Sequence, residues 1–180
     1  MQDRRQDIIE AGLAILREYG FVGFTQPRVA TRAGLRQSHL TYYYPTRLAL
    51  LTAVAQIAID RQLAALDKVL EGSSNEVGKA MSKLAVRHEN TRVMMALAQA
   101  SDQEAPLQKL FRELADGLVS RFAQFLKLLN VESTDEHARL LHALAVGLAV
   151  VDLATARPDG AKRTTAVLEI ALSLLSRSPK

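Results

Sequence analysis

The stretch from Gln37 to Tyr43 is crowded with polar side chains that are poorly suited to a protein core. It offers amide, hydroxyl, imidazole and phenol groups, carried by Gln37, Ser38, His39, Thr41, Tyr42 and Tyr43. Such groups hydrogen-bond or stack, and a helix that presents them fits the major groove of DNA, where base edges form a code of donors and acceptors. This stretch is therefore a candidate for reading a DNA sequence.

Positive charge is concentrated around the same stretch. Residues 21–47 contain no Asp or Glu and four arginines, which are Arg28, Arg32, Arg36 and Arg47. The whole chain has a net charge of +4, so the remaining lysines and arginines balance the 19 acidic residues. The entire surplus lies in this segment, as expected of a surface that binds phosphate.

Local signals predict how these side chains are positioned. Thr25 is a good N-cap, and Pro27 follows in the first turn, where a missing N–H costs nothing. Gly34 can adopt the left-handed conformation that ends a helix, and Pro45 disfavours a helical Tyr44. We expect the Tyr44 side chain to be buried. Two short helices around a turn that contains glycine form a helix-turn-helix.

Arg47 is unusual on structural grounds. Thr46 is predicted to cap a long helix, so Arg47 occupies the first helical position, where a cation opposes the helix dipole. A phosphate beside this helix end would stabilise the arginine. The alternative is a solvated arginine without a specific role.

The rest of the chain also favours helices, because alanine and leucine are abundant and aromatic residues make up only 5% of the sequence. Helical periodicity predicts further helices over about 4–19, 47–70, 73–87, 91–100, 106–129, 136–156 and 161–177. A break is predicted at His88–Asn90, and Ser133 with Glu136 has the spacing of a capping box. The prediction is an all-α fold of about nine helices.

Several classes of protein are not supported. The chain has no cysteine, and it lacks the motifs of nucleotide-binding, hydrolase and zinc-protease sites. His137 and His142 do not have the i, i+4 spacing for chelation on one helix face. The longest apolar stretch, 140–156, is shorter than the roughly 20 residues that span a bilayer. We expect a cytoplasmic protein without catalytic residues, cofactor, metal site or membrane contact.

The N-terminal 50 residues resemble the TetR family of transcriptional repressors, and the spacing fits without gaps. The residues that carry the resemblance are Ile9, Ala11, Leu16, Gly20, Thr25, Val29, Ala30, Ala33, Gly34, Leu35, Leu40, Tyr42, Tyr43, Tyr44, Thr46, Arg47 and Leu50. The remainder resembles the family only in its number of helices and in its two apolar C-terminal helices.

The resemblance implies a helix-turn-helix DNA-binding domain over 1–46 and a helical effector-binding and dimerisation domain over 47–180. It implies a homodimer, paired through its last two helices at about 136–177, that represses transcription from a palindromic operator in double-stranded DNA. An unknown small-molecule effector would release the DNA. The alternatives are an activator or architectural DNA binder without an effector, and a helical carrier of small ligands.

The resemblance also assigns roles within the helix-turn-helix. It implies base reading by Gln37, Ser38, His39 and Tyr42, although His39 could instead be merely exposed. It implies phosphate contacts by Thr25, Arg28, Arg36, Thr41, Tyr43 and Arg47. Arg36 departs from the family pattern, which has Ser or Thr as the cap of the second helix, and arginine caps a helix poorly.

Candidates for an effector pocket come from adaptable or aromatic side chains in the second domain. They are Met81, His88, Met94, Met95, Phe111 and Phe122. Methionine fits irregular cavities, but the helical spacing of Met94 and Met95 favours plain core residues. Asp152 lies in an apolar helix, and it is either a polar group of the pocket or a paired residue at the dimer interface.

Overall fold

The computed structural model describes residues 4–72, 88–156 and 158–176. These ranges contain eight helices and no strand, which confirms the predicted all-α class. The predicted helix over 73–87 lies outside the described residues. The helices are α1 (Arg4–Gly23), α2 (Gln26–Arg32), α3 (Gln37–Tyr43), α4 (Arg47–Leu70), α5 (His88–Ser101), α6 (Ala105–Leu128), α7 (Asp135–Thr155) and α8 (Gly160–Leu175).

The helix-turn-helix forms as its local signals predict. The Thr25 hydroxyl oxygen accepts a hydrogen bond from the Arg28 N–H at 3.4 Å, which caps α2. Gly34 has a φ of 67° in the turn, and Tyr44 is extended and ends α3. Gly20 also has a positive φ, of 64°, and interrupts α1 before its last turn. Glycine adopts this conformation without the steric penalty of a side chain.

Three local predictions are wrong. Residues 88–90 do not form a break, because α5 begins at His88. The cap of α7 is Thr134 rather than Ser133, and the Thr134 N–H donates to His137 Nδ1 at 3.1 Å. Tyr44, which was expected to be buried, is half-buried. Competing caps one residue apart are difficult to separate from sequence alone.

Packing divides the described residues into two compact units. The first contains those in 1–61 and 92–113, and the second contains those in 62–91 and 114–180. Because these units reflect packing and not function, the predicted domains 1–46 and 47–180 stay a prediction.

The first unit depends on a close approach between α1 and α4. A Cβ atom built on Gly12 would lie 2.6 Å from Cγ2 of Val54 and 3.4 Å from the Phe24 ring. Ile8, Leu16, Phe24, Leu50 and Val54 have almost no exposed surface in this core. The absence of a side chain at Gly12 therefore allows the two helices to meet.

An ion pair joins the same two helices at the surface. Arg61 of α4 binds both carboxylate oxygens of Glu10, with Nη1 3.1 Å from Oε2 and Nη2 against Oε1. The hydrogen bond from Arg61 lowers the pKa of Glu10. Both side chains are about half exposed, so we expect a stabilisation of at most about 1 kcal/mol.

In the second unit, α7 and α8 are joined through a buried carboxylate. Asp152 is buried, and its Oδ1 accepts a hydrogen bond from Arg163 Nη2 at 2.9 Å. A Cβ atom at Gly160 would lie 1.9 Å from the same oxygen, so this position requires glycine. Asp152 is therefore paired within the chain, with Arg163 as one of its partners.

Two helices, α4 and α7, are long and apolar enough to cross a membrane if length and composition alone are considered. Of the 18 consecutive residues that are most apolar in each helix, 33% are buried in α4 and 17% in α7. Core helices of soluble proteins meet the same criteria. The low burial of α7 indicates an apolar face that the described part of the chain leaves largely uncovered.

We predict that Gly12→Ala lowers the free energy of unfolding by roughly 1–3 kcal/mol, because the new methyl group collides with the stiff β-branched side chain of Val54. The gain in helix propensity, about 1 kcal/mol, offsets part of this loss. Urea unfolding followed by circular dichroism measures the change.

The matched control is the double variant Gly12→Ala with Val54→Ala, in which the colliding methyl groups are absent. Gly12→Ala should then be neutral or stabilising when it is compared with Val54→Ala alone. Equal costs of Gly12→Ala in both backgrounds would show that the contact between α1 and α4 does not limit this position.

Candidate nucleic-acid interface

A single buried side chain anchors α3. Leu40 is fully buried, whereas Gln37, Ser38 and His39 are exposed. Tyr42 is the most exposed aromatic residue of this helix, at 83%. The four residues predicted to read bases therefore all have surface available for a partner.

The two ends of α3 are held differently. Arg36 stands at the N-cap and its side chain makes no capping bond, as expected of arginine. At the other end, Gln26 of α2 donates from Nε2 to the Tyr44 carbonyl oxygen at 2.8 Å. This bond ties the exit of α3 to the start of α2, so the C-terminal end of α3 has a fixed position.

One of the four arginines is neutralised within the unit. Arg32 donates from Nη1 and Nη2 to the two carboxylate oxygens of Glu18 in α1, at 2.9 and 2.7 Å. This bidentate bond lowers the pKa of Glu18. The positive surface of the helix-turn-helix is consequently smaller than the sequence segment 21–47 suggests.

Arg28 and Arg36 remain as exposed positive charges. The Arg28 guanidinium lies 5.0 Å from the centroid of the Tyr19 ring, and its Nη1 is 3.3 Å from the Gly23 carbonyl oxygen. The Arg36 side chain makes no hydrogen bond or ion pair with the part of the chain that the structure describes. Its guanidinium can therefore bind a phosphate without breaking an internal contact.

Arg47 has backbone carbonyl groups as internal partners, which the sequence does not indicate. Its Nε donates to the Phe24 carbonyl oxygen at 2.8 Å, and its Nη2 donates to the Phe21 carbonyl oxygen at 3.0 Å. The guanidinium also lies 4.4 Å from the centroid of the Phe21 ring. Carbonyl groups at the end of α1 thus stabilise the cation at the start of α4, and its contact with phosphate stays a prediction.

The other residues predicted to face phosphate are half-buried. The Thr25 oxygen caps α2, and the Thr41 hydroxyl donates to the Ser38 carbonyl oxygen at 3.0 Å. Tyr43 packs edge-on against Tyr42, with ring centroids 5.3 Å apart. All predicted DNA contacts lie in the first unit, on α2, on α3, or at the cap or start of an adjoining helix.

The candidates for an effector pocket are distributed over both units. Met94 and Phe111 are half-buried and Met95 is 46% exposed, all three in the first unit. Phe122 belongs to the second unit, where its ring centroid is 6.0 Å from that of His142. Met81 and the side chain of His88 lie outside the described residues, so the pocket stays a prediction.

Burial lowers the pKa of His142, which favours the neutral imidazole beside Phe122. In the described ranges, no group of three or more His, Asp or Glu side chains is arranged to hold a metal ion.

Known structures with the same arrangement of helices are numerous. A transcriptional regulator from Rhodococcus sp. Rha1 superimposes with a TM-score of 0.84 at 20% identity, covering 97% of this chain and 99% of that one. A member of the TetR family from Streptomyces coelicolor A3 gives 0.76 at 21% identity, covering 94% and 98%. This chain has the TetR-like fold. The resemblance inferred from its first 50 residues is thus confirmed for the fold of the described chain.

A third structure with the TetR-like fold contains a small molecule. It is the multidrug binding protein EbrR complexed with imidazole, with a TM-score of 0.70 at 22% identity, covering 100% of this chain and 98% of that one. No family model and no curated protein matches the sequence. The similarity is therefore one of fold.

Two residues that shape the interface were missed from the sequence. Glu18 removes the charge of Arg32, and Gln26 fixes the exit of α3. Gln26 bonds a residue 18 positions away, so no local signal beside the Thr25 cap indicates this contact. Nothing in the sequence near Glu18 indicates its pairing with Arg32.

We predict that Arg47→Ala lowers the free energy of unfolding by about 1–3 kcal/mol, because it removes two charge-assisted hydrogen bonds and a cation–π contact. Arg36→Ala is the matched control and should change stability by no more than about 0.5 kcal/mol. Urea unfolding of both variants measures the difference. Equal stabilities would contradict the structural role of Arg47.

Proposed function

We propose that this protein is a DNA-binding transcriptional regulator whose α3 reads bases in the major groove. The observation that carries the proposal is the single anchored side chain of α3, Leu40, which leaves Gln37, Ser38, His39 and Tyr42 on the surface. A helix that served only the core would bury more of its length. The TetR-like fold of the chain supports this reading by analogy.

The side chains divide into two groups in this proposal. Gln37 has an amide that can bond an adenine edge through two hydrogen bonds, and the remaining base-reading residues add less selective contacts. Arg28 and Arg36 bind phosphate and position the helix, together with Thr25, Thr41, Tyr43 and Arg47. Phosphate contacts contribute affinity for any sequence, whereas base contacts determine which sequence is preferred.

A second copy of the chain is the proposed partner of α7 and α8. These two helices carry several exposed apolar side chains, which are Leu140, Val146, Val151, Ile170 and Leu174. Several exposed apolar side chains on two adjoining helices support an interaction site at these helices. Pairing the same face of two copies is the commonest symmetric solution and produces a four-helix bundle.

Such a dimer sets the form of the DNA site. Two copies of α3 related by a two-fold axis read two half-sites in inverted orientation. We expect their centres to be one helical turn apart or a multiple of it, with one turn spanning roughly 34–36 Å. The proposed operator is accordingly a near-palindrome.

The proposed regulation is the release of DNA by a small molecule. EbrR, with the same fold, binds imidazole in its structure, which supports the existence of a ligand by analogy alone. An effector lowers DNA affinity only if it binds the DNA-incompetent state more tightly. A regulator that loses its DNA when the effector binds is a repressor, which is the role proposed for this protein.

The test begins with selection of double-stranded DNA from a random-sequence library by the full-length protein. We expect a near-palindromic sequence to be enriched. An absence of enrichment would overturn the proposal and favour a carrier of small ligands. Binding that shows no preference for sequence would instead favour an architectural DNA binder.

Variants of the full-length protein then separate base reading from phosphate contact. Gln37→Ala should reduce the preference for one base pair in each half-site by about 1–3 kcal/mol, because it removes a bidentate contact. Arg36→Ala should weaken binding to all sequences and lower the magnitude of the salt slope by about one for each half-site. Fluorescence anisotropy at several salt concentrations measures both effects.

Arg112→Ala is the matched control, since it removes an exposed arginine of α6 that lies outside the helix-turn-helix. Its affinity and salt slope should equal those of the unmodified protein. If Gln37→Ala and Arg36→Ala change preference and salt slope alike, the proposed division between the two groups is wrong.

We predict that Ile170→Glu weakens dimerisation by roughly two orders of magnitude or more, because burial of an unpaired carboxylate costs about 3 kcal/mol. Sedimentation at micromolar concentration measures the distribution of species. Val22→Glu, on an exposed apolar residue of α1, is the control and should remain a dimer. Sedimentation of the unmodified protein as a monomer would overturn the assignment of α7 and α8.

A further inference from the structure

Three side chains form a row that connects the start of α1 with the exposed end of α3. The guanidinium carbon of Arg5 lies 6.0 Å from the centroid of the Tyr43 ring. The Tyr43 ring meets the Tyr42 ring edge-on, with centroids 5.3 Å apart and an interplanar angle of 86°. Tyr42, at the end of the row, is 83% exposed. The row therefore leads from an arginine outside the helix-turn-helix to its most exposed aromatic side chain.

The end of α3 needs such support. The helix has only 7 residues, and the residue at its N-cap, Arg36, makes no side-chain capping bond. Short helices are marginal in water, so their geometry depends on tertiary contacts. Leu40 anchors the middle of α3, and Gln26 holds the backbone that follows it. Among the described residues, the ring contact of Tyr42 is with Tyr43, so the orientation of Tyr42 depends on where that neighbouring ring lies.

We propose that Arg5 is a positioning residue for DNA recognition: it holds the Tyr43 ring, and the Tyr43 ring in turn holds Tyr42 in the orientation that contacts a base. This inference rests on the proposed function. Arginine suits the role because a planar guanidinium stacks on an aromatic face, which a lysine ammonium does not do in the same way. Sequence preference would then depend on a residue far from the helix-turn-helix in the chain.

The alternative role of an arginine at this place is a direct contact with phosphate. The two roles differ in what they change. A positioning residue alters the preference for the base pair that Tyr42 contacts and leaves the number of neutralised phosphates unchanged. A phosphate contact weakens binding to every sequence and lowers the magnitude of the salt slope.

The experiment uses the full-length protein and the duplex that the unmodified protein enriches from a random-sequence library. Tyr42→Ala first identifies the base pair whose preference depends on Tyr42, by comparison of duplexes changed at single positions. Affinities of Arg5→Ala, Arg5→Lys and the control Arg4→Ala are then measured for the enriched duplex and for the duplex changed at that base pair. Arg4 is an exposed neighbour in the same helix, paired with Asp7 at 3.5 Å.

We expect Arg5→Ala to lower discrimination at this base pair by roughly two- to five-fold, the factor typical of an exposed cation–π contact. The salt slope should stay that of the unmodified protein. Arg5→Lys should keep the salt slope and lose part of the discrimination, and Arg4→Ala should change neither quantity. In a Tyr43→Leu background, Arg5→Ala should have no further effect, because the ring through which it acts is absent.

Several results would overturn the inference. Equal weakening of all duplexes by Arg5→Ala, with a smaller salt slope and full additivity with Tyr43→Leu, would make Arg5 a phosphate contact. Unchanged discrimination in Arg5→Ala, or unchanged base preferences in Tyr42→Ala, would likewise overturn it. A library that yields no enriched sequence would contradict the proposed function itself, which is a different observation from any of these.

Discussion

The close approach of α1 to α4 at Gly12 and Val54 is the contact on which the first unit depends. A side chain at Gly12 would meet Val54 at 2.6 Å, so the distance between the helices is set by the absence of one methyl group. Arg47 and Arg61 attach α4 to α1 on either side of this point, through carbonyl groups at the end of α1 and through Glu10. Three separate attachments make the N-terminal half of α4 part of the same body as the helix-turn-helix.

This attachment changes how the charges of the helix-turn-helix are to be understood. Arg47 directs two of its N–H groups to backbone carbonyl oxygens, and Arg32 is paired with Glu18. Arg28 and Arg36 are exposed and have no carboxylate partner among the described residues, whereas Arg47 keeps its charge but is half-buried. The four arginines of segment 21–47 are equal in the sequence, but tertiary contacts give them different roles, and only two of them lie open.

The parts of the site that were predictable from the sequence are those decided by neighbouring residues. The Thr25 cap, the positive φ of Gly34 and the end of α3 before Pro45 follow from local chemistry, and all three are present. The pairing of Glu18 with Arg32 and the carbonyl partners of Arg47 depend on how α1 crosses α2 and α4. No local pattern encodes these contacts, which explains why the phosphate argument for Arg47 overlooked an internal alternative.

Continuous helices connect the two units at three places. The chain passes between the units after Arg61, after Thr91 and after Glu113. Each of these positions lies inside a continuous helix, respectively α4, α5 and α6. Hydrogen bonds between successive turns make a helix stiff along its axis. Arg61, the last residue of the first unit, is bonded to Glu10, so α4 is attached to α1 at the point where the chain leaves that unit. In the proposed function, a ligand that displaced α4 would therefore act on α1, the helix that carries Arg5.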